Sequence, residues 1–99
     1  MTVSVQQFKD QVGSVFHVKL GEGSTSITLK EIEDNSDSVT ERFTLTFQGP
    51  IDRFLEQNTY VLEHSALGEE TIFFVPVAKQ ADGYIYQAIF YRIHSKEAD

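Results

Sequence analysis

The sequence predicts a mainly β domain, in which a short N-terminal helix precedes an antiparallel meander of six strands. From Ser14 onward, apolar and polar residues alternate with a period of two, as they do when one face of each strand is buried. Short segments rich in Gly, Asn, Asp and Pro separate the alternating stretches, and none is long enough for a crossover between parallel strands. The chain also has eight Phe and four Tyr, residues that suit a pleated, half-buried surface. We therefore expect a small barrel or a two-layer sandwich.

The length of 99 residues predicts a single domain over residues 1–99. Dividing the chain would leave two parts too small to bury adequate hydrophobic cores.

The N-terminal helix is predicted from its start signals and its apolar spacing. Thr2 and Ser4 are candidate N-caps, Phe8 and Val12 share one helical face, and Gly13 can end the helix. A helix of this length is unstable alone in water, so we expect it to close one end of the sheet.

The six strands are predicted at 15–20, 27–33, 42–48, 59–64, 71–77 and 84–93. The segment 51–57, between the third and fourth strands, is predicted as one helical turn or a tucked loop. Pro76 cannot donate to a β-ladder, so it indicates an edge position or the end of a strand.

The last predicted strand is apolar on both faces. One face carries Tyr84, Tyr86, Ala88 and Phe90, and the other carries Ile85, Ile89, Tyr91 and Ile93. Strands of this kind are covered on both sides. Either the helix around Phe8 and the segment 54–55 cover the second face, or that face is an interface with a partner or a second copy.

The composition excludes several classes of function. The net charge of −7 opposes binding to nucleic acid and to anionic membrane surfaces. The chain has no cysteine, which excludes thiol catalysis and Cys-based zinc sites and favours a cytoplasmic location. Its longest apolar run, 72–77, is too short to span a bilayer.

No catalytic, cofactor or metal motif is found. The spacing of His17, His64 and His94 does not require a shared metal ion, and there is no nucleophile elbow or phosphate loop. We expect no catalytic residues, no metal and no cofactor, which favours a non-catalytic interaction or assembly module. Two alternatives remain open, a small-ligand-binding barrel lined by aromatic residues and an enzyme that uses His64 with a carboxylate such as Glu69 or Glu70.

Several segments resemble a family of small bacterial stand-alone all-β domains of unknown function. They are Phe47-Gln48-Gly49-Pro50, 60–64 (YVLEH), Leu67-Gly68, 73–77 (FFVPV) and 86–92 (YQAIFYR), together with Phe8 and 12–16 (VGSVF). Members of that family often lie beside genes for phage-tail-collar-like proteins, so the resemblance implies a structural or assembly role. It implies no catalytic residues.

Glu63 and His64 are adjacent polar residues in one of the matching segments, and they would either hold the hairpin by hydrogen bonds or contact a partner. The predicted interaction surface therefore consists of Glu63, His64, Ile85, Ile89, Tyr91 and Ile93.

Overall fold

The computed structural model describes residues 3–93, so Thr2 and His94 lie outside the described residues. Its elements are α1 (Val5–Lys9), β1 (Val15–Leu20), β2 (Gly23–Asp34), β3 (Thr40–Gly49), β4 (Asn58–His64), β5 (Gly68–Gln80) and β6 (Gly83–Ile93). The prediction of a mainly β chain with six antiparallel strands and a short N-terminal helix is confirmed. Within the described part of the chain, no helix has the length and apolar character needed to cross a membrane.

The strands form one sheet that closes on itself in the order β1-β2-β3-β6-β5-β4. The ring closes because β1 pairs with β2 along its whole length and with β4 over His17–Lys19. The order departs from a meander at one point, since β3 lies beside β6 and not beside β4. Two three-stranded meanders are thus joined, and the segment 50–57 carries the chain from one to the other.

The N-terminal helix begins as predicted and ends early. Ser4 is its N-cap, because its Oγ accepts a hydrogen bond from the Gln7 amide at 3.1 Å and its own amide donates to Gln7 Oε1 at 2.9 Å. The helix ends at Lys9, and the prediction that Val12 shares its buried face is wrong, because Val12 is 46% exposed. Gly13, at φ +95°, donates its amide to the Leu29 carbonyl at 2.7 Å and so docks the chain onto β2.

Inward-facing aromatic side chains fill the interior of the ring. The ring of Phe47 contacts those of Phe16 and Phe74, with centroids 5.4 and 6.3 Å apart. Tyr60 stacks on Phe74 at 4.9 Å, and the four rings lie among buried aliphatic residues of all six strands. An interior filled in this way is typical of small barrels without a ligand, so it gives no support to the small-ligand alternative.

One end of the ring, here called the helix end, is closed by α1. Phe8 is fully buried, and its ring lies 6.0 Å from that of Phe43 and 5.8 Å from that of Phe90. The side chains of Phe43 and Phe90 both point into the ring. The helix therefore covers the inner face of the sheet and leaves the outer face of β6 uncovered.

The segment 50–57 crosses the opposite end of the ring as a loop, the second of the two predicted alternatives. Leu55 is buried and its amide donates a hydrogen bond to the Tyr86 hydroxyl at 2.9 Å. Phe54 is half exposed and contacts the ring of Tyr84. Neither residue covers the outer face of β6 at the helix end.

Candidate functional site

The outer face of β6 carries three large apolar side chains in a row. Ile89, Tyr91 and Ile93 are 73%, 67% and 63% exposed, and we call them the β6 patch. Ile85, on the same face near the β5–β6 turn, is partly buried. Most surface apolar residues of small domains are scattered singly, so three on one strand mark a candidate interaction site.

Polar and basic side chains of β3 flank the β6 patch. Thr44 pairs with Ile89, Arg42 with Tyr91, and Thr40 with Ile93. A shallow groove of about 430 Å³ runs along this face, and it is lined by Asn35, Arg42, Phe43, Thr44, Ile89, Phe90 and Tyr91.

The β6 patch lies on a stretch of strand that is paired on one side. The register between β5 and β6 begins at Val75↔Gln87 and ends at Gln80↔Gly83. Within residues 3–93, the stretch 88–93 has backbone pairing to β3 and none to β5. A register shift between Pro76 and Ala78 accompanies this separation, since a bulge bends the strand that contains it.

Arg92 fixes the end of β6 from the inner face. Its Nη1 donates hydrogen bonds to the Val3 carbonyl at 2.9 Å and to Glu41 Oε1 at 3.2 Å. Its guanidinium also lies 5.2 Å from the ring centres of Phe43 and Phe90, within cation–π range. These contacts hold the end of β6 against Val3 and β3 on the inner face of the sheet.

The two polar residues predicted for the interaction surface lie elsewhere, on β4. Glu63 is exposed and points outward, where it forms an ion pair with Lys19 at 3.3 Å. Glu69 binds the same ammonium group at 2.6 Å, and its hydrogen bond is the main cause of the raised pKa of Lys19. These exposed ion pairs join β1 to the β4–β5 hairpin and contribute little to stability.

His64 is 6% exposed and both of its ring nitrogens are occupied. Nδ1 accepts hydrogen bonds from the amides of Ala66 at 2.9 Å and Leu67 at 3.2 Å, so it carries no proton. The proton is on Nε2, which donates to Ser14 Oγ at 2.8 Å. The Ser14 hydroxyl in turn donates to the Gln11 carbonyl at 2.6 Å.

This tautomer decides what the Ser14–His64 pair can do. A general base would have to accept the serine proton on Nε2, and that nitrogen already carries one. Among residues 3–93, the hydrogen-bond partners of the imidazole are Ser14 and the amides of Ala66 and Leu67, and none of them is a carboxylate. The arrangement gives no support to the enzyme alternative, and it holds the β4–β5 hairpin against the segment that leads into β1.

The neutral state of His64 makes stability depend on pH. Burial lowers the pKa of His64 below 6.5, and nearby His17 lowers it further. The unfolded chain therefore binds a proton at a higher pH than the folded chain does, so stability rises with pH between the two pKa values. We expect the free energy of unfolding to be greatest above about pH 6.5 and to fall as the pH drops towards the pKa of folded His64.

Urea unfolding between pH 5 and pH 8, combined with an NMR titration of the imidazole, measures this effect. The variant His64→Gln should lose the pH dependence, whereas His17→Gln, on the exposed face of β1, should keep most of it. An NMR pKa for His64 at or above 6.5 would contradict the assignment.

The strongly shifted carboxyl groups do not interfere with this measurement. Hydrogen bonds from Ser36 lower the pKa of Asp34 to about 2, and backbone hydrogen bonds, chiefly from Thr40, lower that of Asp37 to about 2. Both groups titrate below pH 5.

Sequence reasoning identified the outward residues of β6 and missed two features of the site. The free edge at 88–93 depends on where β5 leaves β6, which no local pattern predicts. Pro76, predicted at an edge or at the end of a strand, lies inside β5, where it pairs with Tyr86 at a register shift and lies beyond the stretch 68–74 that pairs with β4. The contact between Ser14 and His64 joins residues that are 50 positions apart, and no local pattern predicts it.

The chain matches one protein family, described as a domain of unknown function (DUF6916), over residues 3–90. No curated protein and no solved structure matches it.

Proposed function

The chain belongs to the family described as a domain of unknown function (DUF6916), and we propose that it is a non-catalytic protein-interaction or assembly module. Its contact surface is the β6 patch. One observation carries the proposal, namely that three adjacent outward side chains, Ile89, Tyr91 and Ile93, are each more than 60% exposed. Exposed apolar side chains grouped in this way, with a tyrosine among them, are typical of protein interfaces.

The charge distribution supports a protein partner. The net charge of −7 disfavours a phosphate backbone or an anionic membrane surface as the ligand. The cysteine-free composition suits a reducing compartment, and we place the module in the cytoplasm. Assembly of a phage-tail-like particle, which the family resemblance implies, is one setting for such a module.

A photocrosslinking experiment tests the proposal in the native cell. The photoreactive amino acid p-benzoylphenylalanine replaces Tyr91 in one version of the chain and Glu22 in a control version. Glu22 is exposed in the β1–β2 turn, at the far end of the ring. We expect a discrete adduct from position 91, identified by mass spectrometry as one defined protein, and no such adduct from position 22.

Two results would overturn the proposal. One is that position 91 gives no adduct, and the other is that both positions give the same set of adducts.

A further inference from the structure

We propose that the partner is a second copy of this chain, bound by antiparallel pairing of the two β6 strands along 89–93. This inference rests on the proposed function, because it names the occupant of the β6 patch. Pairing of this kind would continue the sheet across the dimer as β2-β3-β6-β6-β3-β2.

The backbone of 88–93 is extended and has one edge at which a further strand can pair. The register from Leu45↔Ala88 to Thr40↔Ile93 holds it in the β conformation on one side, and β5 leaves the other side unpaired within residues 3–93. Such an edge presents amide and carbonyl groups to any strand that adds to it. Its six residues match the usual length of a strand.

The side chains of the edge are self-complementary. The outward residues read Ile89, Tyr91, Ile93, and the order of residue types is the same in both directions. Antiparallel pairing centred on Tyr91 therefore places Ile89 of each copy opposite Ile93 of the other, and the two tyrosines opposite each other. Pairs of aromatic and β-branched residues stabilise neighbouring antiparallel strands, and two-fold symmetry is the commonest symmetry of protein dimers.

Charge also favours a second copy over a basic partner. Two copies with a net charge of −7 each repel one another over most of their surfaces, so they would associate where acidic side chains are absent. β6 contains no acidic residue, although the chain has 15, and nearby Glu41 is paired with Arg92 at 3.2 Å. A surface built for a basic partner would carry acidic side chains around its apolar centre, whereas here Thr40, Arg42 and Thr44 flank it.

Analytical ultracentrifugation of the purified chain tests the proposal, over a concentration range that reaches about 1 mM. We expect a concentration-dependent dimer. The double variant Ile89→Lys/Ile93→Lys places like charges opposite each other and should weaken the dimer at least about tenfold. The double variant Ile89→Lys/Ile93→Glu places opposite charges together and should restore association.

These two variants are matched, because both make two charged substitutions at the same outward positions. The Lys/Lys variant also lowers the net negative charge, so general repulsion alone would strengthen its association. The proposal is overturned if the wild-type chain stays monomeric, or if the two double variants associate equally.

Disulfide trapping gives a second measurement that does not depend on the double variants. The chain has no cysteine, and the two-fold axis places residue 91 beside its own copy, within the reach of a cross-strand disulfide. Tyr91→Cys should therefore oxidise to a covalent dimer much faster than Val15→Cys, which puts a thiol at an exposed position of β1 across the ring. Equal rates for the two variants would contradict the pairing.

The outcomes separate this inference from the proposed function. If position 91 crosslinks to a different protein and the purified chain is monomeric, the second copy is ruled out and the interaction module stands. If position 91 gives no adduct and the chain is monomeric, both the interaction module and the second copy are ruled out.

Discussion

Replacing Phe8 by Ala is expected to lower the free energy of unfolding by about 3–5 kcal/mol. Phe8 is the buried residue of α1, with 0% exposure, and its ring contacts those of Phe43 and Phe90. The truncation leaves a cavity at the helix end, and it also removes the contact that holds a helix too short to persist alone. A domain of this size has a total stability of about 5–15 kcal/mol, so the variant should be close to unfolding.

Urea or thermal unfolding of Phe8→Ala measures the loss, and Val12→Ala is its matched control. Val12 also precedes β1, but it is 46% exposed, so its truncation should change stability by about 0.5 kcal/mol or less. A loss of less than about 1 kcal/mol for Phe8→Ala would show that α1 does not close the ring.

Replacing Gly83 by Ala is expected to cost about 3 kcal/mol. An added Cβ would lie inside the contact distance of the Gly49 carbonyl oxygen and would also press on the Gln48 side chain. A backbone oxygen cannot rotate away as a side chain can, so β3 and β6 would have to separate where Gly49 pairs with Tyr84. The substitution should therefore weaken both the β5–β6 hairpin and the β3–β6 pairing.

Gly21→Ala is the control for this substitution. Gly21 lies in the β1–β2 turn, and an added Cβ would meet no atom within 4 Å. That variant should be neutral or slightly more stable, since Ala reduces the freedom of the unfolded chain. If thermal unfolding shows the two variants to be equally stable, the close approach of Gly83 to Gly49 is not a constraint on the fold.

Local patterns predicted the strands well because burial on one face leaves a period of two. Phe43, Leu45 and Phe47 alternate with polar residues, and all three are buried as the pattern requires. A tight turn at Ala81-Asp82 joins β5 to β6. The neighbour of β3 could not be predicted, because a strand pattern indicates which face is buried and not which strand lies beside it.

The candidate site was predictable to a similar degree. The outward direction of Ile89, Tyr91 and Ile93 follows from the alternation, but their exposure depends on where α1 docks. Val12 shows the same limit at the helix, because its apolar spacing fits a helical face that the chain leaves after Lys9. The role of His64 depends on Ser14, which only the closed sheet brings within reach.

The two three-stranded halves of the ring pair with each other in two places of unequal length, and this difference affects how the chain folds and opens. Within each three-stranded half, every strand pairs with its neighbour in sequence, so the hairpins can form early with little loss of loop entropy. The halves then join along Thr40–Gly49 of β3, but they join again only along His17–Lys19 of β1. The native state should therefore open first at the short β1–β4 pairing. Such an opening would leave both halves held together by the pairing of β3 with β6.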